Sequence, residues 1–275
     1  MQTPLAQIVA LTCYGNAVIH GFSVPRFLPD NSTCQFCESV EFLSLAKSAG
    51  GSVQETVAFS SPDEWFADIR KRGVSGMRLM QQGRNDPRIS DRMSSGFVGG
   101  GRIWNIEVML KNGTSEFWAS RWAVGNKNAP DRKCWRVSYG LVLTARTESR
   151  NLQSLKEIKT CLQQTLKDIL VFSDAHKSRH FDFSSSFANA LIALDDHRVD
   201  IGYHKDLYPV GTLTDNAESL LKAAMSAWVF GGMGSWNDMS FKGQEQADYE
   251  HLSDNLFSIL SEAIEASATS SMYGN

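Results

Sequence analysis

The hydrophobic pattern divides the chain in two. From Arg102 to Arg146 apolar and polar positions alternate. Trp104, Ile106, Val108 and Leu110 fall on one face of "RIWNIEVML", Trp118, Trp122 and Val124 on one face of "TSEFWASRWAV", and Trp135, Val137, Tyr139, Leu141 and Leu143 on one face of "CWRVSYGLVLTA". A period of two predicts strands with one buried face. Lys111-Asn112-Gly113 separates the first two runs, and Asn-Gly between alternating runs predicts a tight hairpin, because both residues tolerate positive φ.

Beyond Arg150 the period lengthens to about 3.6, that of an amphipathic helix. Leu152, Leu155, Ile158, Leu162, Leu166 and Ile169 predict a helix from Leu152 to about Val171, and Phe187, Ala190, Leu191 and Leu194 a second. A third runs from Ala217 to Val229 after a start at Thr214 or Asp215, and a fourth from Gln244 to Ala266 on the stripe Tyr249, Leu252, Leu256, Ile259, Ala263. Strands followed by helices make an α+β plan. The expectation is a single domain over residues 1–275, an antiparallel β-meander sheet packed by a C-terminal group of about four helices.

The N-terminal part is less regular. Thr3-Pro4 reads as the start of a short helix ending near Gly15-Asn16. Pro25 and Pro29 make the next stretch irregular, and the second half of "STCQFCESVEFLSLA" reads as a strand. Ser61-Pro62-Asp63-Glu64 has capping-box spacing, which predicts a helix over Pro62–Arg72 stopped by Gly73. A strand, "VSGMRLM", and a long loop from Gln82 to Arg102 follow.

With 275 residues, 42% of them hydrophobic, the chain can bury a full core, and a net charge of -3 excludes neither ligand nor partner but calls for no polyanion. The local balance is uneven. From Ala67 to Arg150 there are 16 Lys and Arg against 7 Asp and Glu, and after Lys242 there are six acids and no Lys or Arg. Either a basic face binds an external partner, or an acidic last helix lies on a basic sheet of the same molecule; such a helix can also pair with a copy of itself in a homodimer. Five scattered cysteines point to a reducing compartment. The first 25 residues lack charge, yet Gln7, Thr12, Asn16 and His20 interrupt them, so a signal peptide and a membrane span both fit poorly. The expectation is a cytoplasmic protein.

Four groups carry candidate chemistry. Cys34-Gln35-Phe36-Cys37 has the spacing of half a zinc site or of a redox pair, or is simply two buried thiols. His176 and His180, spaced i, i+4, can point at one divalent metal with Asp182 or Asp174, but also suit a polar connection between helices. Arg84, Arg88, Arg92 and Arg102 surround a loop ending in Gly99-Gly100-Gly101, where exposed N–H groups and guanidinium forks suit an anionic ligand or a protein partner. "AWVFGGMGSWND" places Trp228, Trp236, Asn237 and Asp238 in a glycine-rich turn that is either a pocket wall or core packing, and that can form one cleft with His180 and His204. Two functions follow. The first is a binding or accessory module engaging a partner or an anionic ligand. The second is a metal-dependent hydrolase of a phosphorylated or nucleotide-like substrate, with His176, His180 and Asp182 as ligands and Asp238 as general base.

Overall fold

The computed structural model describes residues 1–47, 53–97, 99–150, 153–177 and 182–274. The first helix, α1 (Thr3–Ile19), carries Pro4 in its first turn and is buried at every position from Leu5 to Ala17. A helix apolar all round belongs in the middle of a protein. It is longer than the expected short element, and its central position accounts for the missing charges at the start of the chain.

Strands β1 (Cys37–Lys47) and β2 (Val53–Phe59) form an antiparallel hairpin. Helix α2 (Pro62–Arg72) then carries the chain to the opposite edge of the sheet, where β3 (Gly76–Gln82) begins a return through β4 (Ile103–Met109), β5 (Thr114–Val124) and β6 (Trp135–Arg146). The strand order is β2-β1-β6-β5-β4-β3. Strand β6 meets β1 in parallel, with Tyr139 opposite Phe42. The α+β class holds, but the sheet is mixed rather than an antiparallel meander. Alternation marks which face of a strand is buried and is silent about its neighbour; here the α2 connection decides the pairing.

Local signals are seen at the element ends. Ser61 Oγ accepts from Glu64 N at 3.2 Å, the Glu64 carboxylate accepts from Ser60 N at 2.8 Å, and Gly73 ends α2 with φ 64°. At the β4–β5 turn Gly113 alone takes positive φ, at 79°, while the Asn112 side chain accepts from Thr114 N at 3.0 Å. The long loop contains one helical turn, α3 (Asp91–Ser94). Helices α4 (Leu155–Ala175), α5 (Ser184–Asp195), α6 (Asp215–Ser226) and α7 (Gln244–Ser270) complete the chain. Helix α4 starts three residues later than the apolar pattern suggested, at a capping box in which Ser154 and Glu157 bond reciprocally. The helical part is therefore not confined to the C-terminal half: α1 and α2 cover the sheet as well.

One face of the sheet forms the core. Phe42 stacks on Trp65 of α2 at 4.1 Å and on Tyr139 at 5.3 Å, with Trp118 edge-on at 5.7 Å. The edge strand β3 is closed by side chains. Asn16 of α1 donates to Met77 O at 2.9 Å and accepts from Met77 N at 2.8 Å, and Thr269 of α7 bonds both backbone groups of Leu79 at 3.2 Å. Two helices thus occupy the place of a further strand and leave that part of the edge no free ladder to offer. The charge asymmetry is also settled partly within the molecule, through Arg92–Asp254 at 2.6 Å and Arg150–Glu265 at 2.9 Å. Among the described residues no helix is long and apolar enough to cross a membrane.

Candidate functional site

A cavity of about 580 Å³ opens where the N-terminus of α1, the glycine loop and the ends of β4, β5 and β6 meet. That volume is ordinary for a small-molecule site. Its walls are aromatic: Trp104, Trp122, Trp135, Trp228, Phe36, Phe97 and Phe257 all line it. Trp122 and Trp135 meet edge to face at 6.0 Å, and Trp228 lies 5.7 Å from Phe257 of α7. Phe97 and Phe36 are exposed.

Three N–H groups of the residues that line the cavity lack an acceptor among the described residues. Arg102 Nε, Trp122 Nε1 and Trp228 Nε1 are each shielded from solvent and have no hydrogen-bond partner among the described residues. All three belong to residues lining the cavity. Indole N–H and guanidinium N–H donate only, so each requires an acceptor. The Arg102 guanidinium lies 5.8 Å from the Phe257 ring centroid and donates through Nη2 to Ser258 Oγ at 3.3 Å, which fixes its direction. The first turn of α1 contributes Thr3, Pro4 and Leu5 to the wall; Gln2 makes no side-chain cap, and the turn holds no acidic residue. Its unpaired N–H groups add positive potential there.

The arginines of the long loop do not act as one cluster. Arg84 lines the cavity but is engaged in holding the loop, donating through Nε to Gly101 O at 2.7 Å and through Nη2 to Gly99 O. Arg88 is exposed and forms a fork with Asp86 at 2.8 Å. Arg92 is buried, paired with Asp254 at 2.6 Å, and lies 5.7 Å from the Tyr249 ring. Only Arg84 and Arg102 of the four reach the cavity.

The glycine turn separates in the same way. Trp228 lines the cavity, whereas Trp236 is fully buried among Phe172, Phe183, Phe187 and Tyr249, with its Nε1 donating to Ser253 Oγ at 2.7 Å. Asn237 bonds Arg92, and the Asp238 carboxylate accepts from Gly234 N within the turn itself. The turn and the loop approach backbone to backbone: a Cβ on Gly96 would stand 2.3 Å from Gly231 O.

His176 caps α4, its Nδ1 2.8 Å from Phe172 O and its ring stacked on Phe172 at 4.2 Å. Asp182 pairs with Lys177 at 2.8 Å and accepts from Ser184 N at the start of α5. His180 lies outside the described residues. Among the described residues no group of three or more His, Cys, Asp or Glu side chains is placed to hold a metal ion. His204 is engaged away from the glycine turn: its Nδ1 is 2.9 Å from Ser32 Oγ, which also bonds Asp206. Asp206 accepts from Ser32 N at 2.7 Å too, so it caps the turn at Ser32 rather than orienting the imidazole, and the three do not form a nucleophilic triad.

Cys34 and Cys37 are buried beside the cavity, and Cys37 forms part of its wall. The Cys37 thiol donates to Thr33 O at 3.7 Å, and the two cysteines influence each other's titration. The neighbouring sulfur lowers the Cys37 pKa and raises that of Cys34, which burial raises further.

The sequence pattern did not bring Trp104, Trp122, Trp135, Phe36 or Phe257 forward as site residues. Their one legible mark is position, since the three tryptophans sit at or near strand ends. No family model, no curated protein and no solved structure matches this chain.

Proposed function

We propose that this protein is a binding module for a small organic anion with an aromatic or apolar body, held in the tryptophan-walled cavity. The observation that carries this reading is that three residues lining one aromatic cavity, Arg102, Trp122 and Trp228, each keep a buried N–H group without an acceptor among the described residues. A buried donor without an acceptor costs roughly 1–3 kcal/mol. Carboxylate, phosphate or sulfonate oxygens supply acceptors, and bonds to a charged acceptor are about twice as strong as neutral ones. The indole walls take the apolar body by stacking. The first turn of α1 and the charge of Arg84 and Arg102 favour the anionic end electrostatically.

The test uses the cavity tryptophans as reporters. Intrinsic fluorescence is titrated with naphthalenesulfonate and phenyl phosphate, and with naphthalenemethanol as a neutral counterpart. The expected result is saturable quenching by the anions, at least ~10-fold tighter than by the alcohol, which corresponds to about 1.4 kcal/mol. Equal binding of the neutral compound, or no saturable quenching by either anion, would overturn the reading.

A further inference from the structure

The cavity wall also carries a pair of thiols with no assigned task. Cys34 ends the 3₁₀ turn Ser32–Cys34 and Cys37 opens β1. One amide serves both: Gln7 Nε2 is 3.7 Å from Cys34 Sγ and 3.6 Å from Cys37 Sγ. Gln7 is held in that position, accepting from the Tyr139 hydroxyl at 3.0 Å and donating to Thr33 O at 3.2 Å. Two thiols buried merely as small apolar groups need no such amide. The pair is also unequal in placement, because Cys37 is part of the cavity wall and Cys34 is not. A cysteine in the cavity wall, with a second cysteine held against the same amide, is the arrangement that thiol–disulfide exchange draws on.

We propose that Cys34 and Cys37 are a dithiol site that reduces small anionic disulfides entering the cavity. The Cys37 thiol loses its proton to solvent and its sulfur attacks one sulfur of the substrate disulfide. A mixed disulfide forms on Cys37, the substrate S–S bond breaks, and one thiolate leaves. The Cys34 sulfur, having lost its proton, attacks Cys37 Sγ; the Cys34–Cys37 bond forms and the second thiolate leaves. The two cysteines lose two electrons in total, and the substrate gains them as two thiolates, which take up the two protons released. A small thiol in excess returns the pair to the dithiol by the reverse exchange.

The preference for an anionic substrate rests on the anion-binding reading, whereas the exchange itself requires only the cavity as an entrance, so each can fail alone. The probe is dithiobis(nitrobenzoate), an aromatic anionic disulfide whose leaving group is coloured. The full chain carries Cys134→Ser and Cys161→Ser, which remove the two thiols that are not buried. The folded protein is expected to release two thionitrobenzoate anions per chain, retain none, and lose the mass of two hydrogens. Adding Cys34→Ser should release one anion and leave one attached at Cys37. No release until the protein is unfolded, or an adduct retained while both cysteines are present, would overturn the proposal. These two readouts use the protein with both cysteines and stand even if the Cys34 variant fails to fold.

Discussion

Asn237 and Arg92 clasp each other across two glycine-rich segments that are distant in sequence: Asn237 Nδ2 donates to Arg92 O at 3.1 Å, and Arg92 Nη1 donates to Asn237 Oδ1 at 3.3 Å. The clasp holds the glycine loop against the turn that follows α6. It explains why two candidate ligand residues lie away from the cavity and still matter to it. Asn237→Ala is expected to cost about 1–3 kcal/mol by removing the oxygen acceptor of the buried Arg92 Nη1, while Arg92 O keeps its bond from Ser95 Oγ. In a cycle with Arg92→Met the coupling should be about 0.5–3 kcal/mol. Urea unfolding of the four proteins measures it, and strict additivity would show the clasp to be incidental.

The backbone contact between Gly96 and Gly231 predicts a contrast between two alanine substitutions. A Cβ at Gly96 would meet Gly231 O at 2.3 Å, so Gly96→Ala must push the loop from the turn. It should destabilise the fold by about 1–3 kcal/mol and weaken naphthalenesulfonate binding. Gly99 has φ +75°, and a Cβ there would meet no atom of the described residues within 4 Å, so Gly99→Ala should cost only the left-handed backbone strain of about 1–2 kcal/mol. Thermal melts and fluorescence titrations of both variants decide this; equal behaviour would remove the close approach as a cause.

The two tryptophans of the turn are expected to differ in kind. Trp228→Phe keeps an aromatic wall but loses a cavity donor, so it should weaken anion binding by about 10-fold at little cost in stability. Trp236→Phe loses the bond to Ser253 and leaves a void beneath α7. It should cost about 1–3 kcal/mol and leave the probe affinity unchanged. The opposite assignment of effects would place the ligand on the wrong side of the turn.

His204 makes stability depend on pH in a stated direction. Burial lowers its pKa below the ordinary 6.5, while Asp206 opposes the shift. The unfolded chain therefore takes up the proton first as the pH falls. The contribution of His204 is complete above about pH 6.5 and declines as the pH drops towards the folded-state value. Burial raises the pKa of Glu265 above 4.5, against the pull of Arg150 and Gln81, so over part of the same range that residue acts in the opposite sense. The readout is thus the difference between the native chain and His204→Asn, a substitution suited to the φ of 48° at this position. Urea midpoints from about pH 7.5 to about pH 5 should fall less for the variant; parallel curves would sink the assignment.

What the chain determined by itself is local. The Ser61 cap, the stop at Gly73, the Asn112-Gly113 hairpin and the apolar stripe of α7 depend on residues within a few positions of each other, and they were legible for that reason. So were Arg102, Trp228 and Cys37 as candidates, each from its type and its neighbours. Tertiary structure decided the rest. The parallel pairing of β6 with β1 depends on α2 crossing the sheet. The division of the four arginines between cavity, surface and clasp depends on Asp86, Asp254 and the glycine carbonyls that each one meets. The cavity draws its walls from α1, three strands, the glycine loop, the turn after α6 and α7. Periodicity assigns a side chain to a face, but a binding site is made where several faces stop, and only the packed chain brings those ends together.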